Sequence, residues 1–215
     1  MSIDHVTVKP LEPQHFRDAR LFCDRYELVK HIAGLAQRDG LTNPRIVEIG
    51  VALGEFSKFL IDTFSPQTFV AVDLFDLHET EIIWGMPTKE LFGGKTQKEY
   101  YHDRIAADFG GDLIVKQGFS HEQMSTLEDA SFDLIYIDAG HDYESVMKDA
   151  AESLKKIKRG GYIIFNDYTM MDHLYRTPFG VVPAANEMIV DTGKLKVIGL
   201  GLNSQMFCDL AVVVE

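Results

Sequence analysis

The sequence has few cysteines and no long apolar run. Only two of its 215 residues are cysteine, Cys23 and Cys208, and no CxxC or Cys/His spacing surrounds them. Neither a disulfide framework nor a zinc knuckle is predicted, and a reducing, cytoplasmic setting fits best. The longest clean apolar run, Leu210 to Val214, is far below the ~18 residues that span a bilayer, and the first ten residues lack the pattern of a signal peptide. We therefore expect no membrane partner.

Positive charge is also scarce. Lys and Arg number 21 against 33 Asp and Glu, which gives a net charge of −12. This sign repels phosphate backbones, so nucleic acid is not an expected partner. The hydrophobic share of 46% and the charged share of 25% are those of a globular protein. We expect one compact domain at this length, made of an N-terminal helical cap over residues 1–40 and a main unit over residues 41–215.

Strand and helix patterns alternate along most of the chain. Residues 13–36 carry apolar side chains at helical spacing, which predicts one or two amphipathic helices. Residues 74–95, with the sole tryptophan Trp84, have no clean period and are predicted to form a mobile loop or lid. Strands are predicted at 45–50, 69–73, 112–117, 132–138, 162–166, 194–198 and 207–214, with helices at 55–64, 97–109, 143–157 and 181–190 and a short one from Ser120.

This order of elements predicts an α/β fold. Strands that alternate with helices require right-handed crossovers, and therefore a mostly parallel sheet with helices on both faces. The last two strands are joined by a short connection, which suits antiparallel pairing. The sequence thus predicts a seven-stranded sheet with an antiparallel last strand.

Acidic residues follow the first two main strands. In open parallel sheets, ligands bind at the carboxyl ends of the strands. The first strand leads into Glu48-Ile-Gly50-Val-Ala-Leu-Gly54, whose glycine spacing differs from the G-x-G-x-x-G of dinucleotide sites. A carboxylate before the first glycine opposes a pyrophosphate and favours a ligand with a positive group. The alternative is a simple strand-to-helix turn with an unrelated acid.

Asp73 ends the second strand, where a carboxylate can accept both hydroxyls of a ribose. A solvated Asp at a strand end is common, so this residue alone indicates little. Together with the preceding loop, it favours a nucleoside that carries a cation rather than a diphosphate. S-adenosylmethionine has that form.

These motifs make the chain resemble the class I S-adenosylmethionine-dependent methyltransferases, and among them the small metal-dependent O-methyltransferases related to the catechol, macrocin and sugar enzymes. The resemblance runs from about Arg45 to Tyr168 and implies a Rossmann-like fold. It implies that the loop VEIGVALGEFS surrounds the methionine part of the cofactor and that the segment VKQGFSHEQM lies over adenine, with a His in place of the usual Gln. The cofactor residues that it implies are Glu48, Gly50, Val51, Gly54, Asp73, Gly118, Ser120, His121 and Asp138.

The segments FDLIYIDAGHDY and GGYIIFNDY are the most distinctive part of the resemblance. Asp138 ends one strand and Asn166-Asp167 end the next, and neighbouring strands lie only ~4.8 Å apart, so their oxygens could converge on one hard cation. The arrangement resembles a Mg²⁺ site formed by Asp138, Asn166 and Asp167. The Asn-Asp order departs from the catechol enzymes, which leaves open which of the two binds the metal. Alternatively, the acids cap loops or helices.

His141 follows Asp138 in a D-x-x-H pattern whose histidine acts as general base in similar sugar O-methyltransferases. An imidazole with a pKa near 6.5 can accept a proton at neutral pH. The resemblance implies that Asp138 and His141 are catalytic and that the acceptor is a hydroxyl group of a small molecule. We expect a sugar as the first candidate and a catechol as the second. Alternatively, His141 merely begins the helix at Tyr143.

Other functions fit parts of the pattern. The same fold carries aminopropyl transfer from the decarboxylated cofactor, and a non-catalytic module that binds the cofactor is also compatible with the sequence. No NPPY-type segment follows the fourth strand, where IDAGH stands instead, so an N-methylating enzyme is disfavoured. A homo-oligomer is compatible with the sequence.

Overall fold

The computed structural model describes residues 7–203 and 206–215. Its main feature is a sheet of eight strands in the order β1-β11-β12-β8-β7-β2-β3-β6. Within these residues, the strands are β1 (Phe16–Phe22), β2 (Arg45–Ile49), β3 (Thr68–Asp73), β4 (Ile82–Ile83), β5 (Met86–Pro87), β6 (Asp112–Gln117), β7 (Phe132–Ile137), β8 (Ile157–Phe165), β9 (Met171–Asp172), β10 (Thr177–Pro178), β11 (Leu195–Leu202) and β12 (Cys208–Val214). The helices are α1 (Arg25–Arg38), α2 (Glu55–Phe64), α3 (Thr88–Leu91), α4 (Gln97–Ala106), α5 (Ser120–Ser125), α6 (Tyr143–Lys156) and α7 (Val181–Thr192).

The sheet is parallel except at one strand. Within the described residues, β12 alone runs against the other members of the large sheet, and it lies between β8 and β11. The remaining neighbours pair in parallel. The α/β fold and the antiparallel last strand are therefore confirmed, and the sheet has one strand more than predicted.

The extra strand corrects the prediction for the N-terminal segment. Residues 16–22 form β1, which pairs in parallel with β11, whereas a helix was predicted there. The side chains of β1 lie at a sheet edge and are mostly exposed, so they show no two-residue alternation that would mark a strand. Helix α1 begins only after Asp24, whose side chain accepts a hydrogen bond from the Glu27 backbone at 2.8 Å. The predicted helical cap thus contains a seven-residue strand, which belongs to the main sheet, and the fourteen-residue helix α1.

Residues 74–95 are more regular than predicted. They contain the hairpin β4–β5, the short helix α3 and a 3₁₀ turn at Leu77–Glu79. Trp84 lies at the hairpin turn with positive φ, and 56% of its surface is exposed.

Two apolar layers separate the sheet from its helices. Alternate side chains of the strands point to opposite faces, as Ile46 and Val47 do in β2. One face packs against α5, α6 and α7, and the other packs against α1, α2 and α4. Helices on both faces are therefore confirmed. Within the described residues, no helix combines the length and apolarity that a bilayer crossing requires.

Candidate active site

A cavity of about 880 Å³ opens at the carboxyl edge of the parallel strands. The loops that follow β2, β3, β6 and β7 line it, which is where an open parallel sheet binds ligands. All the predicted cofactor residues except Gly54 contribute to its wall: Glu48, Gly50, Val51, Asp73, Gly118, Ser120, His121 and Asp138. The structure therefore brings these residues to one place, and their contacts with a cofactor remain a prediction.

The first loop turns so tightly that only glycine fits at Gly50. Its φ is +82°, and a Cβ built there would lie 2.0 Å from the carbonyl oxygen of Asp138. The ends of β2 and β7 can approach each other only because this side chain is missing. Gly54 also has a φ of +82°, but its missing Cβ makes room for the ring of Tyr101 rather than for the cavity. Gly54 is thus a packing residue at the start of α2.

Asp73 fixes the loop from the neighbouring strand. One carboxylate oxygen accepts hydrogen bonds from the backbone of Val51 at 2.8 Å and Ala52 at 3.4 Å. The other accepts from the backbone of Phe75 at 2.7 Å. The carboxylate is therefore held rigidly at the cavity wall, and its contact with ribose hydroxyls stays a prediction.

Glu48 is a buried acid at the cavity. Only 1% of its surface is exposed, and the Ser57 hydroxyl donates a hydrogen bond to its carboxyl group. The Tyr101 hydroxyl in turn donates to Ser57 at 3.0 Å. Burial raises the pKa of Glu48 to about 8, so a cation placed beside it would favour the ionised form.

The cavity wall also contains Ser120 and His121. The Ser120 hydroxyl donates to Asp149 of α6 at 2.5 Å, and Asp149 is almost fully buried. Burial raises the pKa of Asp149 to about 6. Asp149 was not predicted from the sequence, although an acid on the apolar face of α6 that contains Val146 and Ala150 is a signal that could have revealed it.

Asp138, His141 and Asp167 meet at the ends of β7 and β8. The imidazole Nε2 of His141 lies 3.5 Å from Asp138 Oδ1 and 3.4 Å from Asp167 Oδ2. These distances exceed those of a good hydrogen bond, and this buried nitrogen has no hydrogen-bond partner. The ring stacks on Phe179, with 4.6 Å between the ring centres.

The three groups shift one another's pKa. Burial by itself lowers the pKa of His141, but the adjacent carboxylates outweigh it, so the pKa of His141 is raised. Burial raises the pKa of Asp138, and it raises the pKa of Asp167 to about 6. Each acid is therefore easier to ionise when a positive group lies beside it.

The Mg²⁺ site of Asp138, Asn166 and Asp167 that the resemblance implied stays a prediction. Among residues 7–203 and 206–215, no three His, Cys, Asp or Glu side chains form a group that could hold a metal ion. The side-chain nitrogen of Asn166 donates to Tyr136 and to Asp209, both at 3.1 Å, so a buried network fixes its orientation. The imidazole of His141 lies within 3.5 Å of both predicted carboxylate ligands.

Two residues at this edge were missed in the sequence. Asp209, at the start of β12, is fully buried and accepts a hydrogen bond from Tyr136 at 2.7 Å. Burial raises its pKa to about 7, and an acid inside the apolar run CDLAVVV is the signal that could have drawn attention to it. Arg25, the first residue of α1, lines the cavity with its guanidinium 4.5 Å from the ring centre of Phe56. No motif in the sequence points to Arg25.

A mostly parallel sheet with a glycine turn and acidic strand ends around one cavity defines a Rossmann-like methyltransferase fold. The family model described as "Methyltransferase domain" matches residues 47–168, more than half of the chain, and the chain belongs to this family.

Individual relatives are distant. Uncharacterized protein R132 of Acanthamoeba polyphaga mimivirus is 24% identical over 80% of this chain and 70% of its own. An O-methyltransferase from Bacillus cereus, solved with S-adenosylhomocysteine, is 19% identical with a TM-score of 0.59, covering 88% of this chain and 81% of its own. A 1,6-didemethyltoxoflavin-N1-methyltransferase from Burkholderia thailandensis is 10% identical with a TM-score of 0.56, covering 88% and 77%. These structures share the fold.

Proposed function

We propose that this chain transfers a methyl group from S-adenosylmethionine to a hydroxyl group of a small molecule. The observation that carries the proposal is the single cavity that joins the loop of Glu48 and Asp73 to the group formed by Asp138 and His141. Its volume of about 880 Å³ falls within the range of small-molecule sites. A cofactor and an acceptor could thus meet within one cavity.

The donor set at the cofactor end suits a cationic nucleoside. Glu48 is buried with a raised pKa, so it gains from a neighbouring positive charge. Asp73 presents a fixed carboxylate at the position proposed for the ribose. When bound, S-adenosylmethionine supplies an electrophilic methyl group on a positively charged sulfur.

His141 is the proposed general base. An alcohol becomes a good nucleophile only as it loses its proton, and a positioned imidazole typically contributes 10²–10⁴-fold by accepting it. The Asp138 and Asp167 carboxylates stabilise the imidazolium that forms, which is the cause of the raised pKa of His141. Phe179 holds the ring from one side by stacking.

The acceptor site is proposed to lie on the side of His141. Phe207 lies 6.4 Å from Phe179, ring centre to ring centre, and His173 lies 5.0 Å from Phe207. Such a row of rings suits the flat face of a sugar or a catechol. No step is assigned to a metal, and Asp138, Asn166 and Asp167 stay the predicted ligands.

Formation of S-adenosylhomocysteine with a panel of glycosides and catechols tests the proposal. With an acceptor found in this way, His141→Ala should lower turnover by about 10²–10⁴-fold, while its Kd for S-adenosylhomocysteine stays within about threefold of wild type. His102→Ala is the matched control, because His102 is exposed on α4. Repeating the assay with EDTA and with added Mg²⁺ measures any metal requirement separately.

One result would contradict the proposed methyl transfer, and another would contradict the role of His141. One is the absence of calorimetric binding of S-adenosylhomocysteine to folded protein. The other is full turnover by His141→Ala, which would remove the histidine from the chemistry while leaving methyl transfer itself in place.

A further inference from the structure

Arg25 places a guanidinium group at the acidic end of the cavity. It belongs to α1, outside the part of the chain that the family model matches. Its planar group lies 4.5 Å from the ring centre of Phe56 and 5.6 Å from that of Tyr26. Stacking of this kind fixes the plane of the guanidinium and leaves its edge free to bind.

The edge of this guanidinium is poorly satisfied. A guanidinium carries five N–H donors. Nη1 makes a long contact of 3.5 Å with the Tyr136 hydroxyl, and the buried Nε has no hydrogen-bond partner. A buried donor that stays unpaired costs about 1–3 kcal/mol, so these donors favour a ligand that brings acceptors.

Among the described residues, Arg25 also has no salt-bridge partner. It acts at a distance on Glu48, Asp138 and Asp209, and lowers the pKa that burial raises in each. Yet in the described part of the chain, no carboxylate oxygen lies within 4.0 Å of its nitrogens. The cavity wall therefore presents a fixed cation, Arg25, and a buried acid, Glu48, as separate partners.

A cation and an acid on one wall match an α-amino acid, which carries both an ammonium and a carboxylate group. The methionine end of S-adenosylmethionine is such a group. We infer that Arg25 binds the carboxylate of the cofactor's methionine end through its unpaired edge, while Glu48 faces the ammonium group. This inference rests on the proposed function and assigns the carboxylate contact to a residue of the N-terminal helix.

A contact between Arg25 and the carboxylate would also affect which cofactor the site accepts. Decarboxylated S-adenosylmethionine, which aminopropyl transfer uses, lacks the group that Arg25 would bind. With that ligand, the unpaired edge of the guanidinium would gain no hydrogen-bond acceptor. Arg25 would therefore make the site selective for the methyl donor against the aminopropyl donor.

Calorimetry with two ligands tests the role of Arg25. The probes are S-adenosylhomocysteine and its decarboxylated analogue, S-adenosyl-3-thiopropylamine. Arg25→Gln should weaken binding of S-adenosylhomocysteine by about 10–100-fold, as expected for a lost charged hydrogen bond, and change the Kd of the analogue by less than about threefold. Arg25→Lys keeps the charge but loses the planar fork, so its affinity for S-adenosylhomocysteine should lie between those of wild type and Arg25→Gln.

The controls separate binding from folding. Arg38→Gln removes an exposed arginine from the far end of the same helix and should leave both affinities unchanged. Retained binding of the decarboxylated analogue by Arg25→Gln shows that the cavity is still formed. Thermal unfolding of each variant provides a second check.

Each remaining outcome overturns the inference. An equal loss of affinity for both ligands would show that Arg25 supports the cavity without binding the carboxylate. Unchanged affinity of Arg25→Gln for S-adenosylhomocysteine would show that Arg25 does not contact the cofactor. If this variant lost turnover with 3,4-dihydroxybenzoate but not with catechol, Arg25 would bind a carboxylate of the acceptor instead. If the wild-type protein bound neither ligand, the proposed function would fail as well.

Discussion

The two ends of the cavity are built in different ways. At the cofactor end, Gly50 and Asp73 are fixed by backbone contacts between adjacent buried strands. At the end proposed for the acceptor, the hairpin β9–β10 has strands of only two residues and exposes large side chains such as Tyr175, which is 70% exposed. The hairpin β4–β5, whose Trp84 lines the cavity, is equally short. The cofactor end is thus constrained by the core, whereas the acceptor end is constrained mostly by its own short turns.

This difference indicates how substitutions should be tolerated. A change at the cofactor end disturbs contacts between strands, so it should affect folding and cofactor affinity together. A change in the exposed hairpins removes few contacts, so it should affect the acceptor alone.

The largest expected effect is at Gly50. Gly50→Ala would place a Cβ 2.0 Å from the Asp138 carbonyl oxygen at a φ of +82°, and we expect a loss of about 2–4 kcal/mol in the free energy of unfolding. Binding of S-adenosylhomocysteine should fall more than 100-fold in calorimetry. Gly85→Ala, at the β4–β5 turn, is the matched control, because its φ is +78° but no atom lies within 4 Å of the added Cβ. If both variants behaved alike, the contrast between the two ends would be lost.

A smaller effect is expected at Asp149, in the cofactor end. Burial raises its pKa from the ordinary 3.8 to about 6, so the stability that it contributes in the protonated form is full below pH 3.8 and is lost as the pH rises through about 6. Asp149→Asn avoids this loss. The free energy of unfolding of the variant relative to wild type should rise by about 1 kcal/mol between pH 5 and pH 8 in urea titrations. A difference that did not vary with pH would contradict this assignment.

The smallest effect is expected in the β9–β10 hairpin. Tyr175→Ser should change the free energy of unfolding by less than about 0.5 kcal/mol, because the side chain is mostly exposed. Affinity for S-adenosylhomocysteine should not change, while KM for a methyl acceptor should rise a few fold. Loss of cofactor affinity in this variant would show that the hairpin is coupled to the opposite end of the cavity.

The sequence allowed the architecture to be predicted where periodic burial is strong. The buried run of β7 and the amphipathic spacing of α6 identify their elements directly. The strand β1 could not be recognised, because its exposed side chains carry no alternation. Its place in the sheet depends on pairing with β11, a contact between distant parts of the chain.

The candidate site was predictable for the same reason and within the same limits. Residues such as Gly50, Asp73 and Asp138 follow strands directly, so the sheet topology brings them together. Asp209 bonds to Tyr136 across 73 positions of sequence, and no local pattern records such a contact. The resemblance supplied the residue types of a metal site, but the orientation of the Asn166 amide depends on this buried network.

The reversed direction of β12 has a consequence for any shortened form of the chain. Seven strands bring their last residues to the cavity edge, whereas β12 brings its first, and Asp209 thereby lies beneath Asn166 and Tyr136. Deleting β12 would remove Asp209, the hydrogen-bond partner of Asn166 and Tyr136, as well as one strand of the sheet. We therefore expect a C-terminal truncation to disturb His141 and its neighbours, although the last residues of β12 lie at the opposite edge of the sheet.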